Sequence, residues 1–344
     1  MRSTCLVSGI LATACNASHP GGGAGGGTTP DAAGDASAGD AASGADASTS
    51  TEIGRTTIVF AAALDGQSGF DLYATDGATT TRLTTTDGWE LYPSISPDRT
   101  QIAFVRDFKL YVVDATGANE RLIAPVTGRE RKINDNVYST TLGPAAWSPD
   151  GKMLAYLYPL EPNVIDMDGD LVDESYATTV HVVGADGTND HALTTMAMRT
   201  TNSLAWAADT LSFSQADDCP DCAGGQYYAV MKTNGSGYRE FIYFTAAGDA
   251  SPNKHLDWSP DGSRWAFVVG GGYSSYDEPG SIFTSSATVD NEAMLVPYPA
   301  RNPRWSADGT QLAYIGSDGI YVIEASGGGN RRVIAVSSIR GIDW

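Results

Sequence analysis

Trp147-Ser-Pro-Asp-Gly151, Trp258-Ser-Pro-Asp-Gly262 and Trp305-Ser-Ala-Asp-Gly309 are three copies of one phrase. Ile95-Ser-Pro-Asp-Arg99 and Trp206-Ala-Ala-Asp-Thr210 are degraded copies. The leading residue falls at positions 95, 147, 206, 258 and 305, with Trp344 last, so the spacings are 52, 59, 52, 47 and 39. Self-similarity at a period of about 40–50 residues marks a repeat architecture, and it suits a propeller blade. After each turn comes a short apolar run: Gln101–Val105, Met153–Leu157, Leu211–Ser214, Arg264–Val268 and Gln311–Ile315. An aromatic recurs at the same place in each: Phe104, Tyr156, Phe213, Phe267 and Tyr314. These runs are too short for helices and are bounded by turn residues, so they predict strands. Their unbroken apolarity predicts cover on both faces.

A further strand, a polar turn and another strand follow, as in Leu110–Asp114, Ala115–Asn119 and Arg121–Ile123. Gly and Asn supply the positive φ that such turns need. Four strands per repeat fit a propeller blade. The run W-S-P-D-G, then L-A-Y/F, then a strand ending in a D-A-D-G-like turn resembles the TolB-type propeller repeat over about residues 56–344. The resemblance implies an all-β propeller and leaves the activity open, because one repeat serves many functions. Thr57–Ala61, Phe70–Ala74 and Thr81–Thr84 lack a preceding first strand, and Ile339–Trp344 is a first strand with nothing after it. Sharing one blade between them predicts a six-bladed ring closed by the two ends, without a large exposed edge. Trp147, Trp206, Trp258, Trp305 and Trp344 recur at one repeat position, which predicts packing between blades rather than ligand stacking.

The chain has 344 residues, with 41 Asp+Glu against 21 Lys+Arg and a net charge of −20. That charge repels nucleic-acid phosphates and argues against such partners. Residues 1–15 hold Arg2, a short apolar stretch and Cys15, too short for a permanent span; they predict an export signal. Ala12-Thr-Ala-Cys15 resembles a bacterial lipoprotein processing site, which implies lipidation of Cys15. It departs from that pattern in having Leu11 one place early and a thin basic region, and plain secretion is the alternative. Residues 16–55 are rich in Gly, Ala, Ser, Thr and Asp and predict a disordered tether without a core. The expected address is the periplasm or cell surface, as a monomer held to a membrane by lipid alone.

Cys219-Pro-Asp-Cys222 predicts a loop disulfide in an exported protein, since a zinc site would need further ligands. The longest insertion carries Asp166-Met-Asp168-Gly-Asp170-Leu-Val-Asp173-Glu174. Alternating carboxylates in a tight loop suit a hard cation. The run resembles the Ca²⁺ loops of EF-hand-like and thrombospondin type 3 repeats, but Leu171 and Ala177 stand where Gly and a bidentate acid belong. Two readings stay open: a Ca²⁺ loop using Asp166, Asp168, Asp170, the Val172 carbonyl and Asp173 or Glu174, or a solvated acidic loop. Beyond Ca²⁺ no cofactor is expected.

Connections alternate between the two ends of a propeller, so every long connection falls at one end. Long loops on a rigid scaffold carry function, which predicts a binding face there. The three insertions 158–178, 215–225 and 269–280 hold eleven acids and no Lys or Arg. Tyr158, Tyr273, Tyr276 and Asp277 lie among them, and Arg129 and Arg131 form a local basic exception. No G-x-S-x-G elbow of the prolyl-oligopeptidase type is present. His181, His191 and His255 are scattered, unlike the His-rich metal clusters of propeller lyases. The expectation is therefore a non-enzymatic scaffold for cell-envelope proteins, with no catalytic residue assigned. A carbohydrate-binding or polysaccharide-lyase propeller is the first alternative, and a peptide-binding or sensor module the second.

Overall fold

Each Ser-Pro-Asp-Gly turn is held by its own side chains. Ser148 Oγ donates to Asp150 Oδ1 at 2.7 Å and accepts from Met153 N at 2.9 Å. The same pair of bonds recurs at Ser96, Ser259 and Ser306. Gly151, Gly262 and Gly309 take φ of 70°, 67° and 70°, where a Cβ is strained. The turn therefore aims the chain back along the strand it has just left.

A computed structural model describes residues 52–64, 69–107, 109–125, 130–133, 136–139, 144–159, 178–194, 200–216, 226–241, 253–270, 279–288 and 291–344. Thr49–Trp344 is one compact unit. Residues 1–51, which hold the expected signal and most of the expected tether, lie outside the described residues, and none of those described forms a helix long and apolar enough to cross a membrane.

The chain opens with β1 (Ile58–Ala62), β2 (Asp71–Thr75) and β3 (Thr80–Arg82). A four-stranded sheet follows: β4 (Glu90–Ile95), β5 (Gln101–Arg106), β6 (Lys109–Asp114) and β7 (Arg121–Ala124). Next comes a two-stranded piece, β8 (Glu130–Ile133) and β9 (Asn136–Ser139). Two further four-stranded sheets are β10 (Ala146–Trp147), β11 (Met153–Pro159), β12 (Thr178–Gly184) and β13 (His191–Ala192), then β14 (Thr200–Ala207), β15 (Thr210–Ala216), β16 (Gln226–Lys232) and β17 (Arg239–Phe241). A seven-stranded sheet contains β18 (Asn253–Trp258), β19 (Arg264–Val269), β20 (Gly280–Ser286), β21 (Ala293–Trp305), β22 (Gln311–Ile315), β23 (Gly319–Glu324) and β24 (Arg331–Ala335). The last strand, β25 (Ile339–Asp343), returns to pair with β1, placing Val59 opposite Asp343 and Phe60 opposite Ile342. All pairings are antiparallel between neighbours, the pattern of propeller blades.

Three features depart from the plain repeat. β21 runs unbroken for 13 residues. It pairs with β20 from Ala293 to Ala300 and with β22 from Arg301 to Trp305, so one strand ends one four-stranded set and begins the next. Glu130–Lys132, expected to be loop, lies in β8, which pairs with β9 and sets Arg131 opposite Tyr138. The degraded copy at Trp206 is a shorter turn. Ala207 pairs directly with Thr210, because neither the capping Ser nor the Gly is present.

The core is divided among the sheets. Phe104, Ile102 and Val113 of the second sheet pack with Val59 and Leu72 of the first. Phe213, Leu211 and Met231 share a cluster with Leu157 and Val182. Ile58, Phe60 and Ile342 share another with Ala313, Ile320 and Val322. β1 is buried at all five positions, as expected of a strand covered on both faces. Within sheets, aromatics stack across strands: Phe60 on Tyr73, Phe104 on Tyr111 and Tyr314 on Tyr321, at 5.5, 5.7 and 5.4 Å between centroids.

Truncating such a ring removes contacts from two sheets. Phe267→Ala, at a position 1% exposed, is expected to cost about 3–5 kcal/mol in urea unfolding. Leu122→Ala, at 46% exposure, is expected to change stability by about 0.5 kcal/mol or less. Similar losses from the two variants would contradict the shared-seam core.

Candidate functional site

The antiparallel alternation gives the propeller two ends. The Ser-Pro-Asp-Gly turns gather at one, with the last residues of β4, β10, β14, β18, β21 and β25. A cavity of about 510 Å³ opens among them. Trp147, Trp206, Trp258, Trp305 and Trp344 line it, with Pro97, Pro149 and Pro260 from the turns. Trp147, Trp305 and Trp344 are buried, as packing between blades requires, while Trp206 and Trp258 are half-buried. Trp258 stacks on Trp265 at 5.1 Å, and the guanidinium of Arg264 lies 5.1 Å from the Trp305 ring. The indoles therefore serve the seams and the cavity wall together.

The residue before Ile95 and before each of these five tryptophans also reaches this cavity. In chain order these residues are Ser94, Ala146, Ala205, Asp257, Arg304 and Asp343. Half the wall is thus small and neutral, and half is charged. Arg304, with its side chain 10% exposed, donates from Nε to Ile342 O at 3.1 Å and from Nη1 to Leu256 O at 3.2 Å. Its Nε lies 3.4 Å from Asp343 Oδ1, and its Nη1 lies 3.9 Å from Asp257 Oδ1. Asp257 Oδ2 accepts from Trp305 N at 2.8 Å, and Asp343 Oδ2 accepts from Ile95 N at 2.5 Å. Asp257 therefore holds β21 and Asp343 holds β4, the first strand of the next four-stranded set in each case, and Arg304 bridges β18, β21 and β25. Burial pushes the Asp257 carboxyl up to about 7, the nearby Arg304 charge partly offsets this, and Asp343 adds to the rise. Burial likewise raises Asp343, against the pull of Arg304 and of the Ile95 N–H.

Arg99, also on the cavity wall, sits in the degraded turn with φ of 60°. Its Nε donates to Ile53 O at 3.1 Å, and its Nη2 donates to Gly54 O at 2.9 Å and Thr57 O at 3.0 Å. The described chain thus enters the propeller beside the cavity.

The residues singled out in the sequence lie elsewhere. Tyr158, at the opposite end, stacks on His181 at 4.4 Å. His181 Nδ1 lies 2.9 Å from Asp190 Oδ1, and Tyr156 donates to Asp190 Oδ2 at 2.7 Å, which places this histidine in a cross-strand aromatic position. Arg131 is on β8, with its side chain outside the described residues. Arg129, Tyr273, Tyr276, Asp277, Cys15, Cys219, Cys222 and the acidic run Asp166, Asp168, Asp170, Asp173 and Glu174 also lie outside them. Among the described residues no group of three or more His, Cys, Asp or Glu is placed to hold a metal.

Sequence reasoning missed two clusters. The first is the charged half-ring, whose members are 47 and 39 residues apart and meet only in the fold. The second is at the long-connection end, where Trp89 is 53% exposed. Phe70 packs edge-on to it at 5.4 Å, and Arg340 covers Phe70 at 5.5 Å. The available signal was a tryptophan, after Asp87-Gly88, that belongs to no repeat position.

The raised Asp257 carboxyl has a signed consequence. An unfolded Asp ionises near 3.8, whereas this one keeps its proton in the fold until about 7. Between those values the folded state binds the extra proton, so this contribution to stability falls as pH rises from about 4 to about 7. Asp257→Asn stays neutral and can still accept from Trp305 N. In thermal melts from about pH 5 to about pH 8, wild-type Tm is expected to drop relative to that of the variant. Parallel profiles would show that Asp257 titrates as an ordinary carboxylate.

A family profile for the dipeptidyl peptidase IV (DPP IV) N-terminal region matches residues 64–167. No curated protein matches the chain. Among solved structures, TolB from Acinetobacter baumannii is similar at 15% identity and TM-score 0.59, over 84% of this chain and 66% of that one. The chain therefore spans about two thirds of that TolB's length. A putative TolB from Agrobacterium tumefaciens is similar at 14% identity and TM-score 0.55, over 83% and 90% of the two chains. An oligogalacturonate lyase from Vibrio parahaemolyticus is similar at 16% identity and TM-score 0.52, over 81% and 75%. With its antiparallel blades, shared apolar seams and central cavity, this chain has the fold of a TolB-like β-propeller.

Proposed function

We propose that the chain is a non-enzymatic scaffold of the cell envelope that docks protein partners on the long-connection end of a six-bladed ring. The observation that carries this reading is the exposed Trp89, buttressed by Phe70 with Arg340 above it. Aromatic and Arg side chains held rigidly at a surface are the usual anchors of protein interfaces. The pairing of β25 with β1 supports closure of the ring by its two ends, and so does the cluster joining Ile58 and Phe60 to Ala313 and Val322. Counting β21 in two blades gives six four-stranded sets. Export, with Cys15 as the lipid-bearing residue and residues 16–55 as the tether, completes the layout. The periplasmic or surface address is in keeping with the TolB-like fold. Ca²⁺ would order the Asp166–Glu174 run.

A carbohydrate-binding reading has one observation in its favour: an exposed indole can also stack on a sugar ring. Related folds include an oligogalacturonate lyase.

The full chain, immobilised and exposed to envelope extract with and without EGTA, separates these readings. A retained protein whose recovery falls about tenfold in Trp89→Ala supports docking at this end. Loss in EGTA as well would bring the acidic run into the interface. Recovery of no protein, with binding on an oligosaccharide array abolished by the same variant, would replace the scaffold with the carbohydrate reading.

A further inference from the structure

Trp89 sits in a loop that closes on one carboxyl. Thr84 Oγ1 donates to Glu90 Oε2, Thr86 Oγ1 donates to Oε1, and Arg106 Nη1 donates to Oε1 at 3.3 Å. Thr84 Oγ1 also accepts from Leu72 N at 2.9 Å, and Glu90 N donates to Phe70 O at 2.8 Å. These bonds tie residues 84–90 to the start of β2 and to the end of β5. The fit is close: a Cβ on Gly88 would stand 2.6 Å from Cδ of Arg106, and one on Gly69 would stand 2.7 Å from Gly88 O. An indole 53% exposed is thus seated beside a carboxyl that is 0% exposed.

The charged groups around Glu90 come from several elements. Arg106 also pairs with Glu120, and its guanidinium lies 4.3 Å from the Tyr111 ring. Asp71, a second buried acid, pairs with Arg82. Asp107 stands beside Gly88, Asp87 is exposed on the loop itself, and Arg340 covers Phe70. Both contacts at Oε1 come from donors, so they favour the ionised carboxyl. Burial works against ionisation, Asp71 adds to it, and together they outweigh Thr84, Thr86 and Arg106, so Glu90 holds its proton to higher pH than an ordinary glutamate.

We propose that Glu90 is a proton-sensitive latch of the Trp89 loop, seating the indole when the carboxyl is neutral and loosening it when the carboxyl is ionised. Its use, tuning the docking surface with pH, rests on the scaffold reading. Linkage fixes the sign. An opened loop returns the carboxyl to water, where it ionises near 4.5, whereas the closed loop keeps the proton to higher pH. The closed loop therefore binds the proton more tightly. Falling pH seats the loop, and rising pH favours its opening.

Amide exchange of the full chain, taken relative to the intrinsic rate at each pH, reads the latch without a partner. Between about pH 5 and about pH 8 the Leu72 and Glu90 amides are expected to lose protection about tenfold, while those of β15 change little. Glu90→Gln keeps the size and stays neutral, so its loop is expected to show the same protection across that range. Should that variant unfold, Thr86→Val, at an exposed position, removes one donor to the carboxylate; it is expected to lower loop protection more at the upper pH than at the lower. Flat protection in the wild-type loop, a fall shared equally by β15, an undiminished fall in folded Glu90→Gln, or an equal effect of Thr86→Val at both pH values would overturn the latch and leave the scaffold reading standing. A responsive loop, with capture from extract untouched by Trp89→Ala, would keep the latch and remove the scaffold reading.

Discussion

None of the small sheets in this chain can bury both of its faces alone. Apart from the β8–β9 pair, each is four strands wide, with apolar residues on consecutive positions, and the faces are covered where the next sheet arrives. Every structural element answers to that seam. The aromatic in the second strand fills it, the tryptophan at the end of the first strand plugs it, and the tight Ser-Pro-Asp-Gly turn sends the chain back into it. The pairing of β25 with β1 supplies at the chain ends what the turns supply elsewhere. A repeat protein is stabilised through its neighbour interfaces. Here those interfaces are apolar and aromatic.

At the short-turn end the seams meet, and three of them carry charge. Arg304, on β21, touches β18 and β25 through carbonyls and acids. Asp257 holds the backbone of β21, and Asp343 holds that of β4. Buried ionic contacts of this kind are weak sources of net stability but strong sources of geometric definition, because any other arrangement strands a charge. They fix how the last two sets and the closing strand sit around the cavity.

The fold was legible because its signal is local and repeated. Trp147-Ser-Pro-Asp-Gly151 encodes a turn that its own Ser and Asp hold, and Met153–Leu157 encodes the strand that must follow. Signals that needed a third dimension were lost. Residues 257, 304 and 343 look like unrelated charges until the fold sets them in one ring. The continuity of β21 was hidden because nothing in Ala293–Trp305 marks the passage from one set to the next. Inner-strand bulges were also hidden. Tyr92, His255 and Asn302, three residues before Ile95, Trp258 and Trp305, take φ of 52°, 43° and 53° without any glycine to announce it. Composition drew attention to the acidic insertions, whereas the described clusters are built from tryptophan and paired charge.

Arg99 gives the propeller a mechanical property. Its guanidinium grips the carbonyls of residues 53, 54 and 57, just ahead of β1, and it belongs to the turn between β4 and β5. A pull on the chain from its N-terminal side meets this clamp first. The load passes into the neighbouring sheet before it can act on the β1–β25 ladder, in which the first and last described strands hold each other. Three hydrogen bonds from one side chain thus act as strain relief, much as a cable is clamped to its housing ahead of the solder joint.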